Sequence, residues 1–124
     1  MTEPYLVMKV LIYDDEADVL RLYKMILEKR GYEVLTFENC NDLIYTIDHT
    51  HPDVIIMDNE MPGISGIQAT KSIKNDKRYA HIPVISCSAN SEGKSLAAEA
   101  HADIFLPKPL TIHGLEAAIK QVAA

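Results

Sequence analysis

Carboxylates and an ammonium follow short apolar segments at three places in this chain. Asp14 and Asp15 come after one such segment, Asp58 ends a second, and Lys108 comes shortly after a third. Carboxylate oxygens that lie together favour a hard divalent cation such as Mg²⁺. An ionised aspartate beside that cation is a nucleophile that can accept a phosphoryl group on a carboxylate oxygen. The residue types therefore indicate magnesium-assisted phosphoryl transfer.

The acidic residues divide into an acceptor and a set of metal ligands. We expect Asp58 to be the nucleophile and also to give Mg²⁺ one oxygen, with a second oxygen from Asp15 and a water ligand held by Asp14. The backbone carbonyl of Glu60, two residues after the acceptor, is the expected further ligand. Without a cation, carboxylates this close together repel each other, so the pKa of at least one of them should rise.

Two further side chains can neutralise the transferred phosphoryl group. Lys108 offers a compact positive charge on a flexible stem, and the Ser88 hydroxyl offers a hydrogen-bond donor. A single acid after a strand is more often only a helix N-cap, and Asp15 could have that role. Here, however, several charged residues from distant parts of the chain reach the same edge of one sheet. This convergence favours a functional site over a helix cap.

Strand-like and helix-like segments alternate along the chain. Continuous apolar runs indicate strands buried on both faces, and apolar residues spaced three and four apart indicate amphipathic helices. The predicted strands cover residues 9–13, 32–37, 53–58, 83–86 and 103–106. The predicted helices cover residues 16–30, 41–48, 66–76, 91–101 and 112–122. The expected helix-terminating residues are Asn39 or Asn41, Ser65 and Thr111 as N-caps, and Gly31 as the stop of the first helix.

Five β/α units predict an α/β fold with a doubly wound parallel sheet covered by helices on both faces. The flavodoxin-like strand order 2-1-3-4-5 suits five strands best, and it makes the first and third strands neighbours. In such sheets ligands bind at the carboxyl ends of the strands, where the strand order reverses. The acidic residues meet there, with Ser88 and Lys108 beside them. The 124 residues fit one domain, predicted over 1–124.

Composition argues against several classes of protein. The net charge of −6 is unfavourable for nucleic-acid binding, which needs a basic patch. Cys40 and Cys87 are too few for a disulfide framework, so a reducing, cytoplasmic location is expected. Lys9 interrupts the apolar start of the chain and acids follow it, so we expect neither a signal peptide nor a membrane span.

Taken together, these motifs resemble the receiver domain of two-component response regulators, over essentially the whole chain. The motifs that carry the resemblance are Asp14-Asp15-Glu16, Asp58 with Met61-Pro62-Gly63, Ser88-Ala89, and Phe105 with Lys108-Pro109. The resemblance implies that Asp58 accepts a phosphoryl group from a sensor histidine kinase or a histidine phosphotransfer protein, and that Mg²⁺ is needed. It also implies a phosphoryl-binding Lys108, a switch formed by Ser88 and Phe105, and a cis Lys108–Pro109 peptide bond.

Several positions depart from the usual pattern of that family. Ser88 stands where threonine is commoner and keeps the hydroxyl, and Phe105 stands where tyrosine is frequent. His101 replaces the glycine of a Gly-Ala-Asp motif, which concerns the turn before the fifth strand rather than the site. Glu60 holds a position that influences the dephosphorylation rate in the family.

The switch residues indicate an output surface. If Ser88 turns toward the phosphoryl group, it leaves space for Phe105, which should favour burial more than tyrosine because it has no hydroxyl. Alternatively, Phe105 simply packs under the last helix. The helix predicted from Ser91 to His101 has low helix propensity because it contains Gly93 and two serines. We expect this helix, the fifth strand and the last helix to bind a downstream protein.

Three other functions fit the same residues. The chain could be a fragment of a larger response regulator or hybrid kinase, a small magnesium-dependent phosphohydrolase with an aspartyl-phosphate intermediate, or an interaction module that works without phosphate. Glu60 partly matches the second acid of Asp-x-Asp phosphatases, but 124 residues leave no room for a substrate-capping insertion. We therefore expect a signalling domain rather than a turnover enzyme, with no nucleic-acid or membrane partner.

Overall fold

The computed structural model describes residues 7–123, so residues 1–6 and 124 of the predicted domain lie outside the described part. The strands are β1 (Lys9–Tyr13), β2 (Glu33–Phe37), β3 (Val54–Asp58), β4 (Val84–Ser88) and β5 (Ile104–Pro107). The helices are α1 (Ala17–Lys29), α2 (Leu43–Thr50), α3 (Gly66–Lys74), α4 (Gly93–Glu99) and α5 (Ile112–Ala123). All strand pairs are parallel, in the order β2-β1-β3-β4-β5. The predicted fold class and strand order are confirmed.

The sheet separates two apolar layers, because successive side chains of a strand point to opposite faces. Val10 and Ile12 of β1 pack in the layer that includes α1 and α5. Leu11 and Tyr13, the residues between and after them, pack in the layer that includes α2 and α3. The central strands are therefore apolar throughout, and the polar residues that end them are left at the carboxyl edge of the sheet.

The first strand has its predicted bounds, 9–13, and the ends of the other elements lie within two residues of the predicted ones. The strand predicted over 83–86 is wrong at its end, since β4 continues to Ser88. Cys87 pairs with Leu106 and Ser88 with Pro107 in the parallel register, so backbone pairing extends the strand past the apolar run. Ser88 is thus the last residue of its strand, at the same edge as Asp58.

The predicted helix caps are partly confirmed. Ser65 caps α3 in a capping box with Gln68, and Thr111 Oγ1 accepts a hydrogen bond from the Gly114 N–H. Asn39 and Asn41 are wrong as caps of α2, because Asp42 is its N-cap and makes no side-chain cap hydrogen bond. Asn39 Oδ1 instead accepts from the Asn41 N–H within the preceding turn.

The ends of α1 and α4 differ from their predicted positions. Asp15 is not the N-cap of α1, since Glu16 holds that position. Gly31 has φ +95° just after the helix, as expected for its stop. Helix α4 has 7 residues, shorter than the predicted 91–101. Within residues 7–123, none of the helices combines the length and the apolar character that crossing a bilayer requires.

Candidate functional site

The sheet brings the predicted site residues to its carboxyl edge. Asp58 is the last residue of β3, Asp14 follows β1 directly, and Lys108 follows β5 directly. Since β1 and β4 flank β3, the ends of these strands lie side by side. Asp14 and Asp58 are buried, with 3 % and 2 % of their surfaces exposed, so their charges depend on partners within the protein.

Lys108 joins the two buried carboxylates. Its Nζ donates a hydrogen bond to Asp14 Oδ2 at 3.0 Å and to Asp58 Oδ2 at 2.8 Å. Asp58 Oδ1 accepts from the Glu60 backbone N–H at 3.1 Å. One ammonium between two carboxylates leaves a negative surplus when both are ionised, and the acids that follow Asp14 add to it. A divalent cation would neutralise that surplus.

The environment shifts the pKa of both members of the central ion pair. Burial raises the pKa of Asp58, although the hydrogen bonds from Lys108 and from the Glu60 N–H act in the opposite direction. Burial disfavours the charge of Lys108, but its hydrogen bonds to Asp58 and Asp14 outweigh this and raise its pKa. The rise expected for one of the carboxylates is therefore found at Asp58, and burial contributes more to it than repulsion by Asp14.

The loop after β1 gathers oxygen donors that suit a hard divalent cation. Ligand oxygens of Asp14, Asp15 and Glu16 lie within 4.8 Å of one another, and Asp15 and Glu16 are exposed. Asp14 Oδ1 accepts from the Glu16 backbone N–H at 2.9 Å, which fixes the loop. An all-oxygen donor set of this kind is what Mg²⁺ prefers, so these residues fit the metal. Glu16 was not among the predicted ligands.

Comparison with known proteins identifies the family. The profile described as "Response regulator receiver domain" matches residues 10–120. The chain belongs to this family. Its fold superposes on the chemotaxis protein CheY4 of Vibrio cholerae with a TM-score of 0.85 and 25 % identity, covering 94 % of this chain and 99 % of CheY4.

Curated relatives of this receiver domain include regulators of two lengths. It is 36 % identical over 115 residues to the phosphate regulon transcriptional regulatory protein PhoB of Pseudomonas aeruginosa. This match covers 91 % of the chain and 50 % of PhoB. It is 28 % identical over 105 residues to the polar-differentiation response regulator DivK of Brucella ovis. This match covers 83 % of the chain and 85 % of DivK. The chain thus spans about half the length of PhoB.

The predicted switch residues of this receiver domain lie beside the acidic site. Ser88 ends β4 with 1 % of its surface exposed, and its backbone carbonyl accepts from the Lys108 N–H at 2.9 Å. Phe105 lies on β5 and is partly buried, while the Lys108–Pro109 peptide bond is cis, as the resemblance implied. The structure therefore brings together Asp14, Asp58, Ser88 and Lys108.

The Ser88 hydroxyl has an acidic partner that the sequence did not indicate. Ser88 Oγ lies 2.9 Å from both carboxylate oxygens of Glu60 and donates to that carboxylate. We expected Glu60 to contribute its backbone carbonyl to a metal, and that role stays a prediction. The Glu60 backbone N–H is held on Asp58 Oδ1 while its side chain binds Ser88.

Two glycines beside the site are required by close packing. A Cβ on Gly66 would lie 1.8 Å from the backbone oxygen of Asp58. A Cβ on Gly93 would lie 2.6 Å from Ser88 Cβ and 3.1 Å from Phe105 Cε1. In the sequence Gly93 only lowers the expected stability of a helix, whereas in the structure it lets α4 lie directly against Ser88 and Phe105, the two predicted switch residues.

A buried amide connects the residue after Asp58 with α4. Asn59 Nδ2 donates to the Gly93 carbonyl oxygen at 3.3 Å, and Asn59 Oδ1 accepts from the Ser86 hydroxyl. Both residues are buried, Ser86 in β4 and Asn59 just after β3. Sequence reasoning missed this pair, because the strand pattern treats Asn59 and Ser86 as ordinary polar residues near strand ends.

Proposed function

We propose that this receiver domain accepts a phosphoryl group on Asp58 from the phosphohistidine of a sensor kinase or a histidine phosphotransfer protein. The observation that carries the proposal is the Lys108 ammonium held by Asp14 and Asp58 at the edge of an oxygen-rich acidic loop. Phosphoryl transfer needs alignment and neutralisation of the phosphoryl oxygens more than covalent chemistry from the protein. This arrangement supplies both alignment and neutralisation beside the Asp58 carboxylate.

The transfer step uses a carboxylate oxygen of Asp58 as the nucleophile. That oxygen forms a bond to phosphorus while the bond from phosphorus to the histidine nitrogen breaks, and the leaving imidazole takes up a proton from solvent. Lys108 neutralises a phosphoryl oxygen, and Ser88 can donate to another. Bound by oxygens of Asp14, Asp15 and Asp58, Mg²⁺ would supply further positive charge to the phosphoryl oxygens.

A groove beside Lys108 can admit the donor's imidazole ring. It has a volume of about 290 Å³ and is lined by Glu16, Val19, Tyr23, Ala89, Lys108, Pro109 and Leu110. Its walls are largely apolar and include Lys108, whose Nζ is held on Asp14 and Asp58. This supports an aromatic ring packing along the groove while its phosphoryl group points to Asp58.

The output is proposed to be binding of another protein rather than turnover of a small substrate. Phosphorylation of Asp58 adds up to about two negative charges close to Ser88. The response of Ser88 and Phe105 to that charge would change the surface formed by α4, β5 and α5. A phosphohydrolase would need its second acid free to act on a leaving group. Here the Glu60 carboxylate is hydrogen-bonded to Ser88, which favours the signalling function. A kinase-linked domain of this kind is expected in the cytoplasm.

Incubation with Mg²⁺ and acetyl phosphate, followed by intact mass measurement, tests the proposal. We expect wild type to gain one phosphoryl group, Asp58→Asn to gain none, and the matched control Asp18→Asn, which removes an exposed acid on α1, to behave as wild type. An equal mass gain in Asp58→Asn would contradict the assignment of Asp58. Release of many phosphate ions per second would instead indicate the phosphohydrolase.

A further inference from the structure

The single proton of the Ser88 hydroxyl is already engaged before any phosphoryl group arrives. The hydroxyl donates to the Glu60 carboxylate, whose two oxygens both lie 2.9 Å away, and it accepts from the Asn90 backbone N–H at 2.9 Å. Because Ser88 is only 1 % exposed, its hydroxyl depends on partners within the protein. Glu60 is therefore the acceptor that satisfies the switch hydroxyl in this state.

Glu60 also contacts the proposed acceptor directly. Its backbone N–H donates to Asp58 Oδ1 at 3.1 Å, while its side chain binds Ser88 on the neighbouring strand. One residue thus joins the end of β3 to the end of β4. A phosphoryl group on Asp58 would place new acceptor oxygens between these two attachments.

The Ser88 hydroxyl cannot donate a strong hydrogen bond to two acceptors at once. A serine hydroxyl carries one proton, so it makes one strong donor interaction at a time. A Cβ on Gly93 would lie 2.8 Å from Ser88 Oγ, which shows how closely α4 packs against the hydroxyl. Little room is left for Ser88 to turn toward α4, and Glu60 and the phosphoryl oxygens draw on the same proton.

We propose that Glu60 is a positioning residue that holds Ser88 in the unphosphorylated protein and competes with the phosphoryl group for its hydroxyl proton. This inference rests on the proposed function of Asp58 and adds a determinant of how strongly phosphorylation is coupled to the switch. Each phosphorylation must break the Glu60–Ser88 hydrogen bond before Ser88 can bind a phosphoryl oxygen. The Glu60–Ser88 hydrogen bond therefore sets in part how strongly Ser88 responds to the phosphoryl group.

The test is a double-mutant cycle read out by binding of a phosphoryl analogue. Wild type, Glu60→Gln, Ser88→Ala and the double variant are titrated with beryllofluoride in Mg²⁺, and the dissociation constant is followed by NMR at the Asn90 amide. Replacing a charged acceptor by a neutral one should make the analogue bind about tenfold more tightly in the Ser88 background. In the Ser88→Ala background the same change should have at most a few-fold effect.

The controls separate competition from a general effect of charge. Glu33→Gln removes one negative charge at the opposite end of the sheet and should leave the dissociation constant unchanged. An equal effect of Glu60→Gln with and without Ser88 would overturn the inference, because charge repulsion alone would explain it. No tightening in Glu60→Gln would overturn it as well. If wild type itself binds no beryllofluoride, the proposed chemistry of Asp58 fails and the inference falls with it.

Discussion

At the scale of single residues, His101 shows how this chain keeps a turn without the glycine that usually forms it. His101 has φ +65°, in the left-handed region that is unfavourable for residues with a Cβ. Its N–H donates to the Ala98 carbonyl, and the Ala102 N–H donates to the Ala97 carbonyl, which closes α4. The presence of histidine instead of glycine at position 101 therefore keeps the turn but strains the His101 backbone.

We predict that His101→Gly stabilises the protein by about 1 kcal/mol, because glycine adopts positive φ without steric cost. The measurement is the free energy of unfolding in urea. His113→Gly is the matched control, since His113 lies within α5, where glycine should lower stability. A His101→Gly protein less stable than wild type would contradict the assignment of strain to this residue.

At the scale of elements, the contact of α4 with Ser88 and Phe105, the predicted switch residues, depends on Gly93. Alanine normally stabilises a helix by about 1 kcal/mol relative to glycine. A Cβ at this position would approach Ser88 Cβ to 2.6 Å, which requires α4 or β4 to move. The two effects oppose each other, and steric overlap in a packed region usually costs more.

We therefore predict that Gly93→Ala destabilises the protein by about 1–3 kcal/mol in urea unfolding. The control is Ser95→Ala in the same helix, at an exposed position, which should be neutral or slightly stabilising. If Gly93→Ala were as stable as its control, α4 would not be packed against Ser88 as described.

The elements themselves were largely predictable from the sequence, for physical reasons. Residues 54–58 form a continuous apolar run ended by Asp58, and such runs specify a strand buried on both faces. Ser65 and Thr111 identify helix starts because their hydroxyls satisfy free N–H groups. The end of β4 was not predictable from pattern, because Cys87 and Ser88 join the strand through pairing with β5.

At the scale of the whole molecule, α1 and α5 are joined through Glu116. Its carboxylate accepts hydrogen bonds from the Arg30 guanidinium and from the Tyr32 hydroxyl, so the turn between α1 and β2 is tied to the last helix. The Arg30 hydrogen bond lowers the pKa of Glu116. A carboxylate with a lowered folded-state pKa stabilises the fold above its unfolded pKa, and this contribution is lost as pH falls.

Glu116→Gln should consequently lower stability at pH 7 by less than about 1 kcal/mol, since the pair is partly exposed to solvent. The deficit should shrink toward pH 4, because the unfolded chain then binds a proton at this glutamate while the folded protein, with its lowered pKa, still resists it. Urea midpoints at the two pH values measure this, with Glu99→Gln as an exposed control. A deficit of the same size at both pH values would argue against an ionic contribution.

The sequence predicted the part of the site that strand order determines. Once β1 and β3 are neighbours, Asp14 and Asp58 must approach each other, and the parallel β5 brings Lys108 to the same edge. Contacts that depend on loop conformation were not predictable. The Glu60–Ser88 hydrogen bond and the place of Glu16 beside Asp14 arise from side-chain directions that loop geometry sets.

The central claim is that acids from separate strands act together to direct a phosphoryl group to Asp58. Peptide mapping by mass spectrometry, after reaction with acetyl phosphate and borohydride trapping of the acyl phosphate, tests this most directly. We predict modification of Asp58, with Asp14 and Asp15 unmodified, and its loss when EDTA replaces Mg²⁺. Modification of a different residue, or equal modification of Asp58 in EDTA, would contradict the account.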